Sequence, residues 1–128
     1  MSHKNKIQRE TEPRPAVTVI GLGLMGHSLA HAFLKAGHPT TIWNRSTKKG
    51  DDLVKEGAVR AKAVKEAVSS STLLVTCVST YEVLFELLDP VSKNLSGRII
   101  INLTSGTPDD ARKMEKWKNG QQNTILNI

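Results

Sequence analysis

Ala16-Val17-Thr18-Val19-Ile20-Gly21-Leu22-Gly23-Leu24-Met25-Gly26 is the stretch on which the fold of this chain turns. Residues 16–20 are short, β-branched and stopped by glycine, as a buried strand should be. From Leu24 to Ala36 the apolar residues Met25, Leu29, Phe33 and Ala36 recur at helical spacing, and Gly37 supplies a stop. Three glycines at G-x-G-x-x-G spacing therefore sit between a strand and the helix it feeds. Gly21 permits the tight turn, Gly23 leaves the backbone open to a close approach, and Gly26 lets helix and sheet pack closely. The helix start adds unpaired N–H groups and positive potential, the combination that cradles a dinucleotide pyrophosphate.

Reading outward, the same alternation continues. Thr40 to Trp43 reads as a second strand, followed by a helix with Ser46 as its N-cap that runs to about Glu56. A short third strand near Ala58–Ala61 leads to a helix around Val64–Val68. Thr72 to Val78 is apolar on both faces, which suits a central strand. Val83, Leu84, Leu87, Leu88 and Val91 mark a helix face that Pro90 kinks or ends. Arg98 to Leu103 is a fifth strand, and Thr107-Pro108-Asp109-Asp110 starts a helix with its cap, its N1 proline and two carboxylates in place. The pattern implies an α/β fold: a Rossmann-type, doubly wound parallel sheet in the order 3-2-1-4-5-6, expected to be cut short before or at strand six.

The end of the second strand bears on which dinucleotide is bound. An NAD site places a carboxylate there, about 20 residues past the glycines, to hold the ribose hydroxyls. This chain has Trp43-Asn44-Arg45-Ser46 instead. Asn44 can bond the ribose, Arg45 can pair with a 2′-phosphate or stack on adenine, and Ser46 offers a hydroxyl and a helix start, with Lys48 and Lys49 adding charge. NADP is the expected cofactor. The candidate binding residues are then Gly21, Leu22, Gly23, Leu24, Met25 and Gly26; Asn44, Arg45 and Ser46; and, at the ends of strands four and five, Val78, Ser79, Thr104 and Ser105. The last four are also what any βα turn would use. His27 and His31 stand four apart but lack a third ligand, so they read as surface histidines rather than a metal site. Cys77 reads as a packing residue, and nothing in the sequence places Tyr81 near a substrate.

The 128 residues carry 18 Lys and Arg against 12 Asp and Glu, a formal charge of +6 that suits an anionic partner. Aromatics are 4% and no nucleic-acid motif is present, so nucleic-acid binding is not expected. No apolar run approaches the roughly 20 residues of a membrane span, and residues 1–15 read as a polar, flexible leader without an apolar signal segment. A single cysteine fits a reducing cytoplasm. The expected organisation is leader 1–15, NADP-binding domain 16–117 and a divergent tail 118–128.

Residues 16–117 resemble the N-terminal domain of the β-hydroxyacid dehydrogenase superfamily, which includes 6-phosphogluconate dehydrogenase, and within it the NADPH-dependent imine reductases. The likeness lies in Val19 to Gly26, Gly37-His38-Pro39, Trp43 to Ser46, and Asn102-Leu103-Thr104-Ser105-Gly106-Thr107-Pro108. It implies hydride transfer to an imine or carbonyl carbon by a two-domain enzyme. In such an enzyme the helical second half dimerises by exchange and carries the catalytic lysine, or the Asp or Tyr that replaces it. On that resemblance no catalytic residue falls within this chain, the helical domain is absent, and residues 118–128 depart from the family's next strand, although Thr124 to Ile128 can still form a strand. A truncated or frameshifted product is therefore expected, inactive alone, with Arg98–Leu103 left as an unpaired edge open to homodimerisation. The alternative is a non-catalytic NADP-binding module that docks a separate helical partner.

Overall fold

A computed structural model describes residues 14–119 and 123–128; residues 1–13 of the expected leader and 120–122 of the expected tail lie outside it. The chain runs β1 (Val17–Ile20), α1 (Leu24–Lys35), β2 (Thr40–Trp43), α2 (Asp51–Lys55), β3 (Val59–Arg60), α3 (Val64–Ser69), β4 (Leu73–Thr76) and α4 (Tyr81–Leu88). A 3-10 segment (Asp89–Leu95), β5 (Ile99–Asn102), α5 (Pro108–Asn119) and β6 (Thr124–Asn127) complete it. All strand pairs are parallel, in the order β3-β2-β1-β4-β5-β6. This is the expected doubly wound α/β sheet.

Two cores follow from the two faces. Val17, Val19, Ile42 and Val75 point to the side of α1 and α2, where Ala30 and Leu53 close over them. Ile20, Leu74, Ile100 and Ile125 face α4, the 3-10 segment and α5, packing on Tyr81, Leu84, Leu88, Leu95 and Met114. β1 is buried along its whole length, so its one polar side chain needs partners. Thr18 donates to the Ala67 carbonyl and shares a second bond with the Ser71 hydroxyl, both at 2.9 Å.

Two expectations change. The helix after β2 begins at Asp51, not at Ser46: Gly50 precedes it in the left-handed region (φ +95°), and residues 47–50 form a turn. A Cβ on Gly50 would meet Ile42 and Leu22 at 2.8 Å, so the core itself requires this turn. The sixth strand also forms. β5 pairs along its length with Thr124–Asn127, so it is an inner strand and the expected unpaired edge moves to β6. Of the two outcomes expected at Pro90 the kink is the one that forms: α4 passes at Asp89 into the 3-10 segment, which kinks at Val91 (φ −112°, ψ 19°). Among the described residues no helix is long and apolar enough to cross a membrane.

Candidate functional site

The carboxyl ends of β1, β2, β4 and β5 open into one cleft of about 470 Å³. Its floor is the glycine loop, Gly21 to Gly26, and one wall is Trp43, Asn44, Arg45 and Lys49 from the end of β2. Cys77, Val78, Ser79, Leu103 and Ser105 form the other wall, and Val83 and Leu87 of α4 close it. A crevice where the strand order reverses is where open α/β sheets take their ligands.

The glycines divide by cause. Gly21 has φ +98°, and a Cβ there would lie 2.3 Å from the Cys77 carbonyl oxygen. A Cβ on Gly26 would lie 1.9 Å from the Gly21 carbonyl oxygen, so the helix can pass this close only without a side chain. Gly23 differs: nothing lies within 4 Å of the place its Cβ would occupy, and its φ of −66° is open to any residue. The protein's own packing gives no reason for glycine there. Gly23 is the N-cap of α1, has no side-chain cap, and is followed by a first turn without a carboxylate. Leu24 and Met25 beside it are 91% and 57% exposed, apolar surface facing the cleft. An anion held on the first-turn N–H groups fits such a cradle.

The β2 end is braced from three sides. Asn44 accepts from the Leu22 N–H at 2.8 Å and donates to the Ser46 carbonyl at 3.0 Å, so it ties the glycine loop to the next turn. Arg60 of β3 holds that turn from below: it donates to the Thr47 and Lys49 carbonyls and pairs with Asp51 at 2.6 Å. Arg45 projects over the cleft, two-thirds exposed, with Nη2 3.6 Å from Glu86 of α4. Ser46 lies outside the cleft lining and, with α2 starting five residues later, brings no helix start to it. Thr104 is also outside the lining; its hydroxyl accepts from the Val78 N–H at 3.2 Å and so shapes the wall indirectly.

The remaining chemistry-bearing groups are structural. His27 bonds Asp52 at 2.6 Å and His31 bonds Glu56 at 2.7 Å, two rungs that clip α1 to the α2 segment. The His27 hydrogen bond, with its charge, holds the Asp52 carboxyl below its usual 3.8 against a smaller opposing effect of desolvation. Among the described residues no cluster of three or more His, Cys, Asp or Glu could hold a metal. Burial pushes the Cys77 thiol above its usual 9.0, which suits a packing residue in the cleft wall. Tyr81 is buried under Gly106, where a Cβ would meet its ring at 2.4 Å, and it does not line the cleft. Sequence reading missed Val83 and Leu87, whose i, i+4 spacing on the helix after β4 was the available signal. It missed Arg60 and Glu86 as well, which no local pattern distinguishes.

The family described as the NAD binding domain of 6-phosphogluconate dehydrogenase matches residues 16–127, through β6. An NADPH-dependent reductive aminase of Aspergillus oryzae is 38% identical over 98 residues, covering 77% of this chain and 33% of that protein. The structure of an imine reductase from Myxococcus stipitatus in complex with NADP+ superposes with a TM-score of 0.85 at 41% identity, over 88% of this chain and 40% of that one. A reductive aminase from Aspergillus terreus in complex with NADPH and ethyl levulinate gives 0.83 at 34% identity, again over 88% of this chain and 40% of that one. The chain thus spans between a third and two-fifths of the length of these relatives.

Proposed function

Because this chain belongs to the NAD-binding domain family of 6-phosphogluconate dehydrogenase, we propose that it binds NADP(H) as the cofactor domain of an oxidoreductase acting on an imine or carbonyl carbon. The observation that carries the reading is Gly23, a bare N-cap over an open cleft, where the chain's own packing leaves room for a ligand to approach the backbone. Residues 21–26 take the pyrophosphate on backbone N–H groups. Arg45 and Lys49 take the 2′-phosphate, and the Arg45 guanidinium covers the adenine against Val83 and Leu87. The nicotinamide riboside then falls to Val78, Ser79 and Ser105, on the far side of β1 from Arg45. The cofactor supplies the hydride when bound; the protein positions it. Arg45, Lys49 and Cys77 are the only titratable groups among the described residues that line the cleft, so the proton donor to a reduced substrate is assigned to a helical domain such as the resemblance implies.

Fluorescence titration tests this. NADPH should bind more tightly than NADH, and Arg45→Ala should weaken NADPH about 10- to 100-fold, the loss of a charge-assisted bond, and NADH by a smaller factor, the loss of the adenine contact alone. Equal binding of both cofactors by the unaltered chain would reject the assignment to NADP(H).

The alternative is a module that holds NADP and docks a separate partner. It draws on exposed apolar residues at the outer end of the sheet: Ile99 is 40% exposed, Leu126 49% and Ile128 84%. Turnover restored by a separately expressed helical polypeptide would favour it.

A further inference from the structure

Beneath the nicotinamide side of the cleft lies a buried hydrogen-bond knot. Asn102, fully buried at the end of β5, accepts on Oδ1 from the Thr76 hydroxyl at 2.9 Å and from the Thr104 N–H at 3.1 Å. Because a backbone N–H can only donate, the atom facing it must be the amide oxygen, which fixes the orientation of the Asn102 amide. Nδ2 is thereby turned toward β6, where it donates to Asn127 Oδ1 at 2.9 Å. The buried Tyr81 hydroxyl approaches the same oxygen at 3.5 Å. Thr104, placed by Asn102, accepts from the Val78 N–H at 3.2 Å. A continuous path therefore runs from Asn127 through Asn102 and Thr104 to Val78.

We propose that Asn102 and Asn127 are a positioning pair that sets the loops after β4 and β5 against the nicotinamide half of the cofactor. This rests on the cofactor reading above and adds β6 to the elements that build the site. The pair lies away from the adenosine half, which the cofactor reading gives to Arg45 and Lys49 on the other side of β1. An acceptor at position 127 is required; its loss leaves the Asn102 Nδ2 group without this partner and frees the two loops to drift.

The test compares NADPH with 2′,5′-ADP, which carries the 2′-phosphate and adenosine but no nicotinamide, by titration calorimetry on the 128-residue chain. Asn127→Leu should weaken NADPH about tenfold and change 2′,5′-ADP by less than about twofold. Asn127→Asp retains an accepting oxygen and should bring NADPH affinity back toward that of the unaltered chain. Thr104→Val keeps the side-chain shape and removes the hydroxyl that accepts from Val78, so it should give the same split; Asn127→Ala, which removes the acceptor without adding bulk, decides the matter if Asn127→Leu fails to fold. Parallel losses for both ligands, or no loss for NADPH, would overturn the positioning pair while leaving the cofactor reading intact. An unaltered chain that binds neither ligand would overturn both.

Discussion

At the scale of single residues, the glycine loop separates folding from function. Gly26→Ala drives a Cβ to 1.9 Å from a backbone oxygen and should cost about 1–3 kcal/mol, the range for overpacking a close contact, read as a lower urea midpoint. Gly23→Ala meets nothing within 4 Å and should cost no more than about 1 kcal/mol, the loss of a favoured N-cap residue. On the proposed cofactor reading its added methyl group stands in the way of the pyrophosphate, so NADPH affinity should fall by more than about tenfold. A Gly23→Ala chain that unfolds would remove the steric argument. The His27–Asp52 rung makes a smaller prediction. Asp52 has a lowered folded pKa, so its contribution is present above its usual 3.8 and is lost as the pH falls through the lower folded value. The melting temperatures of the unaltered chain and Asp52→Asn should accordingly differ at pH 6 and converge in strong acid.

Among the elements, the turn between β2 and α2, which carries Lys49 into the cleft wall, and, on the positioning proposal, the strand β6 shape the site. The turn owes its course to Gly50 beneath and to Arg60 across, not to a cap at Ser46. Arg60→Met should let the Arg45–Lys49 wall move and weaken NADPH and 2′,5′-ADP together. That is the opposite of the selective loss expected at Asn127, so the two substitutions report on the two halves of one cleft. β6 holds on through Ile125, only 5% exposed within the core cluster of Tyr81, Leu84, Ile100 and Met114. Ile125→Ala should cost about 2–4 kcal/mol by cavity formation in equilibrium unfolding. A cost near zero would mean that β6 is only lightly attached. α5 enters this core from a reciprocal cap, Asp110 N–H to Thr107 Oγ1 at 3.1 Å and Thr107 N–H to Asp110 Oδ2 at 2.9 Å.

For the molecule as a whole, binding and folding are linked, because the cleft is assembled from residues spread between Gly21 and Ser105. A ligand that recognises only the folded chain stabilises it by about 2.7 kcal/mol at a hundredfold excess over Kd. For a domain of this size that corresponds to a rise in Tm on the order of 10 °C with NADPH. A Tm unmoved by saturating NADPH would count against a cleft formed by the folded sheet.

The alternation of strands and helices, the strand order and the glycine loop were all legible in the sequence, because each rests on local periodicity or on a turn only glycine can make. The position of Arg45 at the end of the second strand, beside the glycine loop, was legible too, because parallel pairing sets β2 next to β1. The Ser46 cap was misread because a serine before polar residues looks like a helix start, whereas buried contacts to Ile42 and Leu22 decide where that helix begins. The edge at β5 was misread because residues 124–127 are short and polar at both ends, a weak strand signal on their own. Their place in the sheet comes from pairing with β5 and from Ile125 entering a core built by distant helices. The bonds of Asn102 to Thr76, Thr104 and Asn127 span gaps of 26, 2 and 25 residues. Sequence periodicity reports only which face of an element is apolar; which polar groups meet beneath a cleft depends on how strands far apart in the chain are brought side by side.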